Sequence, residues 1–338
     1  MWEFDDSRLD DLDLLVQHGD RLRSLAMTGA SLRQAVDLAD WDNLDRVAEA
    51  FRPRSVIALG PEARLIRAVV EPTCPVAVVA WPRPNLPAWV GPLDLVVVVG
   101  GEAEATEQSV REANRRGAVV FAITPQRQVL AEFVGDRSLA HVVTGASDPF
   151  VNATIALCGL EQLGLAPAVQ PQLVADGLDR VAEACSPHQP LGQNPAKEMA
   201  VCLADTSPLL WGGTVLSARV ARRLAESIRQ VSQRLALAAD ATELRPVLSG
   251  AQRVDPFADP FLSPTVGSAY CLVTLDDAAA DQRVDDQQRE LEQLAESRGI
   301  RLARLRYDQG SPVERYAGLL QHGLFATAFL GLGLRPLV

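Results

Sequence analysis

Short apolar runs alternating with helical segments constrain the fold of this chain more than any other feature of its sequence. Five such runs lie in the first half, at residues 55–59, 75–80, 93–99, 118–123 and 139–143. They are apolar on both faces, which is typical of strands in a parallel sheet covered by helices. The segments at 64–70, 104–116 and 127–133 have helical spacing. This alternation predicts a doubly wound α/β domain.

The second half repeats the alternation. Strands are predicted at 208–211, 269–275 and 300–306, helices at 215–238, 286–297 and 312–332, and a loop at 248–266. Residues 8–51 and 148–204 have helical patterns, the latter interrupted at 186–190. The sequence therefore predicts an N-terminal helical segment packing on the core (1–50), a first α/β domain (51–165), a helical linker (166–205) and a second α/β domain (206–338).

Charge and composition exclude several function classes. The net charge of −11 and the pI of about 4.9 make nucleic acid and anionic membrane surfaces poor partners. The N-terminus lacks the pattern of a signal peptide, and the longest apolar runs are too short to span a bilayer. A cytoplasmic protein is therefore predicted. The five cysteines and four histidines show no metal-ligand spacing, so we predict reduced core thiols and no metal site.

Three segments, taken in order, carry a resemblance to a known family. Residues 99–106 (VGGEAEAT) follow the third strand, residues 194–197 read NPAK, and residues 219–229 read RVARRLAESIR. They resemble the serine-rich phosphate loop (S-G-N-T-E-E-T), the N-P-A-K segment and the helix R-W-x-x-Q-L-N-E-N-x-K of the bifunctional phosphoglucose/phosphomannose isomerases, a branch of the sugar-isomerase (SIS) superfamily. The resemblance implies two tandem SIS-type domains and a homodimer.

The resemblance also implies a site for a sugar phosphate. The family isomerises hexose 6-phosphates between aldose and ketose without a cofactor, and Glu226 matches its catalytic base, which moves a proton between C2 and C1. The positions that match phosphate-binding residues, or turns that approach the phosphate, are Gly60, Gly100, Gly101, Thr106, Lys197 and Arg219.

The chain departs from the family pattern at several of these positions. Gly100 stands where the family has serine, Glu102 where it has asparagine and Ala103 where it has threonine. The first turn reads Gly60-Pro61-Glu62 instead of G-G-S, so a second carboxylate replaces a hydroxyl. The histidine that assists ring opening is replaced within Glu243-Leu244-Arg245-Pro246, and the functional lysine beyond the final helix has no counterpart.

These motifs also have plain structural readings. Gly100-Gly101 suits an ordinary strand-to-helix turn, and Asn194-Pro195 suits a helix start, which leaves the lysine unexplained. An arginine- and glutamate-rich helix is often a solvated face with pairs such as Arg222 and Glu226.

Three functions therefore remain open. The first is a cofactor-free phosphohexose isomerase with Glu226 as base, whose catalysis is weak or lost. The second is a non-catalytic SIS protein that binds a carbohydrate derivative or has a regulatory role. The third is a structural partner of a sugar-metabolic enzyme. Glu102 would oppose phosphate if it points inward, because two unit charges about 4 Å apart repel by roughly 4 kcal/mol near a surface. If it points to solvent it is harmless, but it does not restore the lost donors. The acids at positions 62 and 102 favour the second and third functions over the first.

Overall fold

The computed structural model describes residues 2–41, 44–45, 51–81, 83, 85–100, 103–133, 139–251, 270–279 and 281–336. The chain forms two compact units. We call Thr28–Asp176 the central unit, and Met1–Met27 together with Gly177–Val338 the terminal unit.

Helices and strands are numbered along the chain over the described residues. The helices are α1 (Leu12–His18), α2 (Asp20–Ala26), α3 (Thr28–Leu38), α4 (Ala63–Val70), α5 (Ala103–Arg115), α6 (Pro149–Gln162), α7 (Pro171–Ala184), α8 (Pro195–Leu203), α9 (Val215–Ser232), α10 (Ala241–Gly250), α11 (Gln282–Ser297) and α12 (Pro312–Gly333). The strands are β1 (Trp2–Phe4), β2 (Ser55–Leu59), β3 (Ala77–Trp81), β4 (Asp94–Val99), β5 (Val119–Thr124), β6 (Leu139–Val143), β7 (Ser207–Gly212), β8 (Leu237–Ala238), β9 (Tyr270–Asp276), β10 (Arg301–Arg306) and β11 (Leu334–Pro336). Short 3-10 helices cover Asp6–Leu9, Arg127–Phe133 and Leu191–Gln193.

The central unit is built on a parallel sheet whose five described strands have the order β3-β2-β4-β5-β6. Every residue of β2 and β4 is buried, which explains why these runs are apolar on both faces. From β2 the chain first moves to β3 on one side, and β4 then lies on the other. In parallel α/β sheets, ligands bind at such a reversal, outside the carboxyl ends of the strands.

The terminal unit repeats this arrangement. Its parallel sheet has the described order β10-β9-β7-β8. The chain moves from β7 to β8 on one side and then to β9 on the other, so the reversal lies between β7 and β9, as it lies between β2 and β4 in the central sheet. A separate antiparallel pair joins β1 to β11, with Glu3 opposite Arg335. The prediction of an α/β fold with two doubly wound, helix-flanked parallel sheets is confirmed.

One helix ends earlier than its sequence pattern predicts. Helix α9 stops at Ser232 instead of continuing to residue 238, because Gln233 adopts a left-handed conformation with φ of 56°. Arg229 then donates from Nη1 to the carbonyl of Ala236 at 2.7 Å, and Leu237 pairs with Leu209 in the sheet. Pairing of the backbone with β7 therefore outweighs the helical pattern of residues 233–238.

Two further predictions concern less regular regions. The predicted loop at 248–266 lies mostly outside the described residues, and helix α10 extends to Gly250. Helices α1, α2 and α3 agree with the helical pattern of residues 8–51, of which residues 42–43 and 46–50 lie outside the described part. No helix in that part is long and apolar enough to cross a membrane.

Candidate functional site

The reversal point of the central sheet brings Gly60 and Gly100 together. Gly60 follows β2 and has φ of +103°, a conformation that L side chains rarely adopt. A Cβ atom here would lie 1.9 Å from the carbonyl oxygen of Val99, the last residue of β4. The two strand ends therefore approach closely only because position 60 is glycine.

One backbone donor at the start of the turn after β4 is already engaged. The backbone N–H of Gly100 donates to the carbonyl of Ile123 at 2.9 Å, so it is engaged within the sheet. Gly101 and Glu102 lie outside the described residues. Thr106 lies in the first turn of α5, where an anion would meet the positive end of the helix dipole, and it is buried.

A buried carboxylate follows β2 at the same reversal point. Glu62 is only 1% exposed and directly precedes α4, and its backbone carbonyl accepts from the N–H groups of Leu65 and Ile66. The family pattern has a hydroxyl at this position, and an ionised carboxylate can only accept hydrogen bonds. The acid that the sequence placed in the first turn is thus inside the protein and not on a solvated face.

The central sheet also carries a histidine that sequence reasoning did not single out. His141 on β6 lies with Nε2 2.7 Å from the hydroxyl of Thr124, the last residue of β5. Burial, with a smaller contribution from the charge of Arg127, lowers the pKa of His141 to about 4. The ring is therefore neutral at pH 7 and adds no positive charge at this sheet.

The equivalent point of the terminal sheet is occupied by the chain's own carboxylate. Strand β7 ends at Gly212, Gly213 follows it, and Thr214 caps α9 through a reciprocal pair of hydrogen bonds with Ser217. The hydroxyl of Thr214 donates to Oδ2 of Asp277 at 2.6 Å, and Asp277 is 7% exposed. A negative charge thus already lies at the start of α9. In the sequence, the glycine pair after a buried strand indicates a turn of this kind. The sequence does not reveal that Asp277 lies next to that turn in the fold.

Helix α9 carries two of the predicted site residues. Arg219 and Glu226 are seven residues apart, close to two helical turns, and so share one face of the helix. Arg219 is buried, whereas the side chain of Glu226 is 44% exposed. Arg223 donates to Oε2 of Glu226 at 3.4 Å, a long contact between partly exposed groups. The predicted base is therefore accessible to a solute.

Lys197 is held in a network of its own. It is completely buried in α8, and its Nζ donates to Oδ1 of Asp10 at 2.6 Å and to the carbonyls of Pro187 and Gln189 at 2.9 and 2.8 Å. Nζ also lies 5.4 Å from the centre of the Phe329 ring. An ammonium group has three donors, so Lys197 can reach a phosphate only by giving up one of these bonds.

The predicted residues are divided between the two units. Gly60, Gly100 and Thr106 belong to the central unit, whereas Lys197, Arg219 and Glu226 belong to the terminal unit. Over the described part of the chain, no group of three or more histidine, cysteine or acidic side chains is arranged to hold a metal ion.

Comparisons with known proteins concern the family and the fold of the chain. Residues 192–334 match the family described as the bacterial phospho-glucose isomerase C-terminal SIS domain. None of the curated proteins is significantly similar in sequence.

Solved structures resemble the chain over nearly its whole length. Tagatose-6-phosphate ketose/aldose isomerase from Escherichia coli has a TM-score of 0.66 at 13% identity, with 93% of each chain covered. The C-terminal domain of glucosamine-fructose-6-phosphate aminotransferase from Francisella tularensis has a TM-score of 0.65 at 13% identity, covering 93% of this chain and 96% of that one. A glucose-6-phosphate isomerase like protein from Thermus thermophilus has a TM-score of 0.54 at 16% identity, covering 96% and 92%.

Proposed function

We propose that this chain, in which residues 192–334 form a SIS domain of the bacterial phospho-glucose isomerase C-terminal type, binds a hexose 6-phosphate and has weak or no isomerase activity. The observation that carries the proposal is that Arg219 and Glu226 share one face of α9, inside the matched domain. A guanidinium suits an anionic ligand, and a carboxylate is the group that moves a proton between adjacent sugar carbons.

The proposed loss of activity rests on what surrounds these residues. A carboxylate works best as a base near neutral pH when its pocket excludes water, but Glu226 is 44% exposed. The ring-opening histidine of the family has no counterpart, because the corresponding segment has Arg245 and Pro246 instead. This segment lies in α10, and Arg245 donates to Glu290 at 2.6 Å. Buried Glu62 and the engaged amide of Gly100 further weaken a phosphate loop in the central unit.

Thermal unfolding with glucose, mannose or fructose 6-phosphate tests the binding proposal. A ligand at about 100 times its dissociation constant adds roughly 2.7 kcal/mol to the stability, which is a clear rise in Tm. Inorganic phosphate at equal concentration is the control for non-specific anion binding. If none of the three sugars raises Tm above the phosphate control, the hexose 6-phosphate proposal is wrong.

An isomerase assay with the Glu226→Gln variant tests the catalytic part. We expect slow or undetectable interconversion of glucose and fructose 6-phosphates by the wild type, and any activity to disappear in Glu226→Gln. The control is Glu183→Gln, which removes an exposed carboxylate from α7. Rapid turnover would refute the loss of catalysis, and turnover that survives in Glu226→Gln would refute Glu226 as the base.

We also propose that the chain works as a cytoplasmic homodimer, as its resemblance to the isomerase family implies. Light scattering coupled to gel filtration should give twice the chain mass of 36.4 kDa. A monomeric mass at micromolar concentration would contradict this.

A further inference from the structure

Two cysteines far apart in the sequence meet inside the terminal unit. Cys202 lies near the end of α8 and Cys271 near the start of β9, and their Sγ atoms are 3.1 Å apart. A disulfide has an S–S distance of about 2.05 Å, so the sulfurs need to approach by about 1 Å to be bonded. Both residues are reduced cysteines in this structure.

The two thiols have different surroundings. Cys271 is completely buried, and its neighbours in the sheet are Pro208 on β7 and Arg301 on β10. Cys202 is only partly buried and is therefore the more exposed of the two residues. Arg301 also donates from Nη1 to the carbonyl of Val201 at 3.4 Å, which places the guanidinium beside the end of α8.

These surroundings shift the pKa values of the two thiols in opposite directions. The hydrogen bond with Cys271 lowers the pKa of the Cys202 thiol, assisted by the charge of Arg301 and opposed by burial. The pKa of Cys271 is raised by the same contact and by burial. Because the thiolate is the nucleophile, Cys202 is the sulfur that reacts first and Cys271 the one that resolves.

We propose that Cys202 and Cys271 form a redox-sensitive pair that a hydroperoxide converts into a reversible disulfide between α8 and β9. The Cys202 thiolate attacks one oxygen of hydrogen peroxide and becomes a sulfenic acid, and the peroxide O–O bond breaks to release hydroxide. Cys271 then attacks the sulfenic sulfur, the S–S bond forms, and the second oxygen leaves as water with the proton of the Cys271 thiol. Two thiols lose two electrons, and one peroxide gains them to give two waters.

The disulfide would tie together parts of the terminal unit that are 69 residues apart in the chain. Cross-links that close long loops restrict the unfolded state most, so the oxidised protein should be the more stable form. In a reducing compartment the pair remains as thiols and closes only under oxidative load, which is how redox-sensing disulfides behave in the cytosol. This proposal does not depend on sugar-phosphate binding.

Peptide mapping of the full-length protein tests the pair directly. The protein is treated with hydrogen peroxide, the remaining thiols are alkylated, and the digest is made with trypsin. Each half of the pair lies on a tryptic peptide with a single cysteine, residues 198–219 and residues 254–283. We expect these peptides to be joined, two of the five thiols to be lost, and a dithiol reductant to restore both.

Variants separate the two roles. In Cys271→Ser, peroxide should leave a sulfenic acid on Cys202 that dimedone traps, whereas Cys74→Ser, which removes a half-buried thiol of the central unit, should still form the cross-link. Oxidised wild type should unfold several degrees above the reduced protein, and Cys202→Ser should show no such rise. The proposal is overturned if both residues remain alkylated after peroxide, if Cys202 is oxidised to a sulfinic acid without cross-linking, or if either cysteine pairs with another. The wild-type map decides this even where a variant fails to fold.

Discussion

Replacing Asp10 by alanine should destabilise the terminal unit, because Asp10 is the only charged acceptor that the described contacts give to the buried ammonium of Lys197. The Nζ–Oδ1 distance is 2.6 Å, and the other two acceptors are backbone carbonyls. A hydrogen bond to a charged group contributes about 1.5–3 kcal/mol. Asp10 is 49% exposed, so water can replace part of the lost bond. We therefore expect a loss of about 2 kcal/mol.

Thermal unfolding followed by circular dichroism or calorimetry measures this loss. For a unit of roughly 150–250 residues, about 2 kcal/mol corresponds to a fall in Tm of about 4–8 °C. Asp10→Asn, which keeps a neutral acceptor, should fall by a smaller amount. Asp13→Ala is the control, because it removes an exposed carboxylate from α1 with the same change of charge, and its Tm should stay within about 2 °C of the wild type.

The effect of Asp10 should also depend on pH with a definite sign. The hydrogen bond from Lys197 lowers the pKa of Asp10, although burial opposes it. A group whose pKa is lowered on folding stabilises the protein above its unfolded pKa, about 4 for aspartate, and stops doing so as the pH falls through the folded pKa. The gap in Tm between wild type and Asp10→Ala should be constant from pH 5 to 8 and should narrow below about pH 4. The reasoning is refuted if Asp10→Ala and the wild type have the same Tm at pH 7.

Two further predictions concern the central unit. Gly60→Ala should lower the free energy of unfolding by about 3 kcal/mol, because its Cβ would lie 1.9 Å from the Val99 carbonyl oxygen and φ at this position is +103°. The control Gly164→Ala has φ of +70° but open space around the new Cβ, and should lose only about 1 kcal/mol. Equal losses of stability in urea unfolding would contradict the steric argument. Burial lowers the pKa of His141 to about 4 from an unfolded value of about 6.5, so the unfolded chain binds the extra proton and stability should fall as the pH drops from about 6.5 to 4. His141→Gln should reduce this slope without abolishing it, because burial also lowers the pKa of His322 to about 4. An unchanged slope would show that His141 does not contribute to it.

Local patterns in the sequence predicted the elements of the fold well. Strands β2 and β4 were recognisable because burial on both faces favours apolar residues throughout, and their two buried polar residues, Ser55 and Asp94, hydrogen-bond to each other. The start of α8 was equally readable, since Asn194 accepts from the N–H groups of Ala196 and Lys197 and Pro195 follows it. These features depend on neighbours within a few residues, and such neighbours are visible in the sequence itself.

The roles of charged and reactive side chains were settled only by tertiary structure. Lys197 reads as a ligand residue in its motif, yet its partner Asp10 lies 187 residues earlier. Glu62 could have faced solvent, but the packing of the central unit buries it. Cys202 and Cys271 are unremarkable in the sequence and meet because α8 packs beside the strands that follow. A charge or thiol takes its properties from whatever the fold brings within a few ångströms, and those neighbours come from distant parts of the chain.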